Sequence, residues 1–325
     1  MESATSTTRP VEPPAKRRPA SAGAPVGVLA ERRPRRRALV GAVGDYIALT
    51  KPRIISLLLV TTVATMFVAD PSGPALATVL WTMLGGYLAA GGAGAINQYL
   101  DRERDARMTR TAARPLASGR IKPFHGLVFG LVLGTLATVQ LALTVNALAA
   151  ALALAGLLGY VLVYTLWLKP LTPQNIVIGG AAGAMPPLVG WAAATGGLAL
   201  DALYPFAIVF LWTPPHFWAL SLLIKDDYAR TGVPMLPVVR GERATRSQIL
   251  VYAVLLVGLT VAPFFTGLFG APYLASALAL GAAFVALAAR LALRPSRRAA
   301  LRLYLSSLLY LALLFAAMAI DRVVA

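Results

Sequence analysis

From Lys51 onward the chain is a succession of apolar blocks, separated by short charged or Pro/Gly-bearing connections. A bilayer core about 30 Å thick calls for roughly 20 apolar residues per crossing, because each helical residue rises about 1.5 Å. Lipid offers the backbone no hydrogen-bond partners, so blocks of this length must satisfy themselves as helices. With 58% hydrophobic and 13% charged residues among 325, a water-soluble fold is excluded. Apolar blocks near 48–69, 75–99, 124–144, 147–168, 174–195, 203–224, 248–269, 272–293 and 300–320 predict an all-α, polytopic membrane protein of about nine transmembrane helices.

The formal charge of +17 would suggest nucleic acid in a soluble protein. Here the basic residues cluster at the ends of apolar blocks, so no nucleic-acid partner is expected and membrane lipid is. Residues 1–53 carry 11 Lys and Arg, and the second-to-third connection carries 7. The fourth-to-fifth carries 1, and the sixth-to-seventh and eighth-to-ninth carry 5 each. The other connections carry none, leaving Arg322 alone on the far side. By the positive-inside rule the N-terminus is cytoplasmic and the C-terminus external, in a cell membrane, and that requires an odd number of spans. Residues 1–40, rich in Pro and Arg, are expected to form a disordered basic cytoplasmic tail with no signal-peptide core, ahead of a transmembrane domain over 45–325.

The chain contains no cysteine, which excludes thiolate catalysis, disulfides and Cys-ligated metals. Any metal must be held by oxygen or by the two histidines. Pro186–Pro187, Pro205, Pro214–Pro215 and Pro263 fall at membrane depth and predict broken helices lining a cavity. The Gly-rich stretches GGYLAAGGAG and IGGAAGA permit close helix packing.

One constellation can carry chemistry. The second block leaves the membrane through NQYLDRERDARMTRTAARPL, where Asn97, Asp101 and Asp105 are spaced i, i+4, i+8 and share one helix face. Three oxygen donors on one face are what Mg²⁺ shares with substrate phosphates. Arg102, Arg104, Arg107, Arg110 and Arg114 in the same segment can grip phosphate oxygens. The plain alternative is a topology-setting loop whose acids pair with its arginines. A second acidic segment, KDDYARTGVPMLPVV, lies four helices later and so at the same membrane face, and brings Asp226 and Asp227 toward the same cavity mouth. Tyr164 and Lys169 end the fourth block on that face too. Heterolysis of an allylic diphosphate suits this set, since it needs cations around a leaving group and no nucleophilic side chain.

NQYLDRERDARMTRTAARPLASGRI resembles the N-x-x-x-D-x-x-x-D signature of the UbiA family of intramembrane prenyltransferases. YTLWLKPLTPQNIVIGGAAGAMPPLVGW and FLWTPPHFWALSLLIKDDYARTGVPMLPVV are similar to its protoheme IX farnesyltransferase branch, the heme O synthases. The resemblance runs from TKPRI at about 50 to the C-terminus. It implies a UbiA-like nine-helix bundle that ionises farnesyl diphosphate with Mg²⁺ and couples the allylic cation to a vinyl group of heme b. Water addition then gives heme O, and a heme A synthase is a possible partner. Carried over by position, Asn97, Asp101 and Asp105 would hold Mg²⁺ and diphosphate, with Arg110, Arg114 and Lys169 as diphosphate contacts. Where relatives carry a second D-x-x-x-D, Asp226 and Asp227 are followed four residues on by Arg230 and Thr231. A second full metal site is therefore not implied, and Asp227 and Tyr228 are assigned to the second cluster. His216 in WTPPHFW is a candidate contact, or an axial ligand, for the acceptor heme, with Trp212, Phe217 and Trp218 as possible walls; His125 is read as structural. The competing readings are prenyl transfer to an aromatic quinone precursor and, in another class, a secondary transporter.

Overall fold

The computed structural model describes residues 35–324, with side chains from Gly41; most of the expected tail lies outside the described residues. Among these, nine helices are long and apolar enough to cross a membrane: Pro52–Ala69, Leu76–Ala106, Pro123–Thr144, Ala147–Leu171, Asn175–Thr195, Leu200–Leu223, Gly241–Phe265, Ala271–Leu293 and Arg297–Val324. They are called here the first to ninth spans. A further helix, Arg35–Thr50, precedes the first span and packs on the second. Two short helices, Lys225–Arg230 and Leu236–Val239, lie between the sixth and seventh.

The apolar blocks match the spans, but three ends run further than expected. The second span continues to Ala106, which keeps Asp101 and Asp105 on the helix. The seventh begins at Gly241 and the ninth extends from Arg297 to Val324. Arginine-rich ends are amphipathic, so their long stems extend a helix past the apolar stretch while the charges stay in water.

The second and third spans form one close pair, and glycine makes it possible. A Cβ at Gly92 would come within 2.8 Å of the Gly130 carbonyl oxygen and 2.9 Å of the Gly134 nitrogen. Small residues let helix backbones approach where lipid supplies no hydrophobic drive between helices. The sixth to ninth spans form a second group, in which the sixth touches the seventh and ninth and the eighth touches both of those. The first span joins the groups by packing on the second and the ninth, and it also packs on the fifth, with Gly190 directly against the Thr62 carbonyl.

Of the breaks expected at proline, one forms: the fifth span is interrupted at Ala184, just before Pro186 and Pro187. Pro205 sits in the first turn of its helix, where its missing N–H would have had no partner. Pro263 lies in the last turn. Pro214 and Pro215 are inside the helix Leu203–Leu223 without ending it, held by buried packing on both sides. The main irregularity is elsewhere, in the fourth span, where Gly159–Leu168 is a π-helix.

At the end of the bundle opposite to Asp101, Asp321 of the ninth span accepts from the backbone N–H of Gly270, at 2.7 Å, and of Tyr273, at 3.0 Å. It thereby caps the start of the eighth span, whose second residue, Pro272, has no N–H to offer. Arg322 donates to the carbonyls of Val68 and Leu268 on the same side.

Candidate active site

The site is assembled on the second span. Asn97, Asp101 and Asp105 are 4%, 1% and 4% exposed, so the expected face exists and is turned into protein. Carboxylates are buried at this cost only when paired. Lys169 Nζ donates to Asp101 Oδ2 at 2.5 Å, Arg104 reaches Asp101 Oδ1 at 3.4 Å, and Arg114 Nη1 donates to Asp105 Oδ2 at 2.6 Å. Asn97 Nδ2 donates to Asp101 Oδ2 at 2.8 Å and to Thr165 Oγ1 at 3.2 Å.

The π-helix delivers the fourth-span side chains. The Lys169 N–H bonds the Tyr164 carbonyl, five residues back, and Thr165 Oγ1 donates to the Tyr160 carbonyl in the same spacing. That wider turn stacks Tyr160 on Tyr164, with ring centroids 5.4 Å apart, and places Thr165 and Lys169 together against the second span. π-segments of this kind recur at functional sites.

Lys51 completes the cluster. Its Nζ donates to Asn97 Oδ1 at 2.8 Å, and among the described residues it is the one non-glycine with positive φ, at 58°. A left-handed lysine persists only where its surroundings hold it. Here Gln98 donates to the Leu49 carbonyl at 3.0 Å, and Gly91 and Gly94 leave room for Thr50 and the turn itself. The Lys51 ammonium is pushed down to about 7, first by burial and then by the Arg114 and Lys169 charges. An arriving anion would raise it again.

The second acidic segment borders the cluster, though only in part as expected. Asp227 accepts from Thr109 Oγ1 at 3.1 Å and from the Arg110 N–H at 3.4 Å, and it pairs with Arg230. It fastens the helix Lys225–Arg230 to the connection that follows the second span. Desolvation pushes its carboxyl upward, but the Arg110 and Thr109 backbone N–H groups, the Thr109 hydroxyl and Arg230 outweigh that and hold it below 3.8. Tyr228 is 3% exposed; burial pushes its hydroxyl up to about 12, and it lies within electrostatic reach of Arg110, Arg114, Asp101 and Asp105. Asp226 is exposed and shares none of these hydrogen bonds. Asp227 faces N–H and hydroxyl donors and Arg230, rather than a second set of carboxylates.

The donor set fits Mg²⁺. Asn97, Asp101 and Asp105 supply only hard oxygens from one helix face, two carboxylates and an amide, and among the described residues three His, Asp or Glu side chains gather nowhere. Lys51, Lys169 and Arg114 now satisfy the oxygens a metal would use, and the same cations suit a diphosphate.

The profile of the UbiA prenyltransferase family matches residues 58–317. The chain belongs to the UbiA prenyltransferase family. It is 54% identical over 281 residues to a protein named protoheme IX farnesyltransferase from Symbiobacterium thermophilum, covering 86% of this chain and 94% of that one. A Roseiflexus sp. protein of the same name is 55% identical over 280 residues, 86% of this chain and 52% of its own length. The chain spans about half the length of that relative and of its Thermus and Chloroflexus counterparts. Among solved structures, one of digeranylgeranylglyceryl phosphate synthase superposes with a TM-score of 0.72 at 19% identity, over 87% of this chain and 99% of the other. A UbiA homolog from Archaeoglobus fulgidus bound to DMAPP and Mg²⁺ gives 0.59 at 16%, over 84% and 99%. These two establish the UbiA fold, and with its nine apolar helices the chain is a multi-pass membrane protein of that family.

Around the UbiA site, the remaining expected residues separate. Arg110 contributes a backbone N–H, its side chain being exposed. His216 lies in the sixth span against the ninth, with Nδ1 2.6 Å from Ser307 Oγ. Trp212 stacks on it, whereas Trp218, 1% exposed, packs edge-on to Tyr252 of the seventh span and is core. Phe217 packs against the same core. His125 is exposed at the start of the third span. Sequence reasoning missed Lys51, Thr109 and Thr165. The only signal for Lys51 was a lysine placed before a proline at a span's start.

Proposed function

We propose that this chain transfers the farnesyl group of farnesyl diphosphate to a vinyl group of protoheme IX (heme b), with addition of water, releasing heme O and diphosphate. The shared name of relatives that are about half identical along most of this chain supports the acceptor and donor. The observation that carries the chemistry is the buried hydrogen-bonded chain Lys51–Asn97–Asp101–Lys169, with the Asp105–Arg114 pair one turn on. Its two carboxylates and its amide offer oxygens for Mg²⁺, and its cations stand where a leaving diphosphate gathers charge.

Asn97, Asp101 and Asp105 would hold the metal, as the Mg²⁺ bound with DMAPP in the Archaeoglobus homolog supports. Bound Mg²⁺ would neutralise charge on the departing diphosphate. Lys169 and Arg114 move from carboxylate oxygens, and Lys51 from the Asn97 amide oxygen, to diphosphate oxygens when the substrate arrives, so each exchanges one partner for another. Asp227 fastens Lys225–Arg230 to the Thr109–Arg110 turn, and buried Tyr228 lies beside the Asp101, Asp105 and Arg114 charges. Apolar walls keep water from the allylic cation until the vinyl group has reacted. On this reading the charged end of the bundle faces the cytoplasm, the C-terminus is external in the cell membrane, and a heme A synthase takes the product.

The test is incubation of purified protein with heme b, farnesyl diphosphate and Mg²⁺, then mass analysis of the extracted heme. A gain of farnesyl plus water that requires Mg²⁺ is expected. Prenylation of an aromatic quinone precursor in place of heme would overturn the acceptor and keep the site.

A further inference from the structure

The diphosphate site leaves one half-buried imidazole at membrane depth unused. His216 is clasped on both faces, by Trp212 at 4.2 Å between centroids and 17° between planes, and by Tyr304 of the ninth span at 4.9 Å and 29°. Its Nδ1 edge meets Ser307 Oγ at 2.6 Å. Ser307 has a single hydroxyl proton, and Oγ gives it to the Tyr304 carbonyl at 2.6 Å. Nδ1 must therefore carry the hydrogen and donate it, which leaves the lone pair on Nε2. Trp212 Nε1 donates to the Ser307 carbonyl at 2.8 Å, so the clasping ring and the serine are tied to each other.

Nε2 makes no hydrogen bond among the described residues, yet protein atoms do not seal it as they seal Trp218 Nε1 and Tyr310 OH. With both faces and one edge covered, the Nε2 edge is the approach left open. At membrane depth a half-buried imidazole gains nothing from an empty lone pair, and a packing residue would have both nitrogens paired or sealed. A neutral ring whose N–H is fixed by a second residue, with the other nitrogen bare, is the form in which histidine binds a metal.

We propose that His216 Nε2 is the axial ligand to the iron of the acceptor porphyrin, with Ser307 as the positioning residue that sets its tautomer. This rests on the heme reading above and specifies how the acceptor is held. Ligation at the centre of the macrocycle leaves the peripheral vinyl groups free to react. It sets the porphyrin plane across the Nε2 edge, bounded by the rims of Trp212 and Tyr304. The iron keeps its oxidation state, and only a coordination bond forms.

The experiment is titration of the purified full-length protein with ferrous protoheme, read by absorption and by the iron–imidazole stretch in resonance Raman spectra. Metal-free protoporphyrin serves as a second probe. The stretch is expected in the wild type, absent in His216→Ala and His216→Gln, and restored by added imidazole. Heme affinity should fall by about 10–100-fold in both variants, to the level at which metal-free protoporphyrin binds the wild type. His216→Gln keeps a donor toward Ser307, so folding is controlled independently. Ser307→Ala should retain the stretch at a shifted frequency, an effect mere packing would not produce. Persistence of the stretch in His216→Gln would overturn the proposal, as would wild-type heme binding without it. If the wild type binds farnesyl diphosphate but neither porphyrin, the acceptor reading itself fails.

Discussion

Two carboxylates lie buried toward opposite ends of the bundle, Asp101 at 1% exposure and Asp321 at 5%, and different donors satisfy them. Asp321 is held by the N–H groups of Gly270 and Tyr273, fixed in the backbone of a helix start. Asp101 is held by the tips of Lys169, Arg104 and Asn97, all side chains. A backbone donor cannot leave without unwinding its helix, whereas an ammonium on a flexible stem can rotate to a new anion. The same burial thus produces a clamp at one end and an exchangeable site at the other.

The largest effect should come from Asp101→Asn, which removes a hard ligand and a buried charge but not volume. Turnover in the heme assay is expected to fall by about 10³-fold with the melting temperature in detergent little changed; a near-normal rate would break the comparison at its reactive end. Lys169→Met should cost about 10²-fold in turnover, and a loss confined to KM would show that Lys169 binds diphosphate without helping it depart.

Asp321→Ala should do the opposite. Two N–H groups lose their partner, for a loss of roughly 1–3 kcal/mol in stability, while turnover per folded molecule is unchanged. Loss of turnover without a lower melting temperature would erase the distinction between clamp and site. The smallest effect concerns Asp227. Its folded-state carboxyl is held below 3.8, so its stabilisation is whole above that pH and fades as pH falls through the depressed value. Hydrogen exchange over residues 225–231 should accelerate in that acid window, and Asp227→Asn should flatten the response.

Much of this was legible because membranes enforce a coarse code. Apolar blocks and the i, i+4, i+8 spacing of Asn97, Asp101 and Asp105 follow from helix geometry, and both are present in the structure. Lys169 was found because it is the one cation in its connection. Lys51 was not, since its left-handed backbone is imposed by contacts with Gln98, Gly91 and Gly94, which no local pattern records. The choice of Asp227 over Asp226 came from the resemblance, since neighbours on a short helix differ only in facing, and tertiary packing decides that. Pro214 and Pro215 were read as breaks, yet burial within the sixth span overrides their local preference.

The π-helix at Gly159–Leu168 has a consequence for how this sequence can change. A wide turn of that kind accommodates one residue more than the ladder on either side of it, and so keeps the two ends of the fourth span in phase. Deleting a single residue there would remove that excess and return the segment to ordinary α-helix with Lys169 still facing Asp101. Adding one, with the wide turn already holding its extra residue, would swing Lys169 by about 100° around the axis, away from Asp101. The lengthened chain should enter the membrane and melt normally but no longer turn over, whereas the shortened one should keep its turnover.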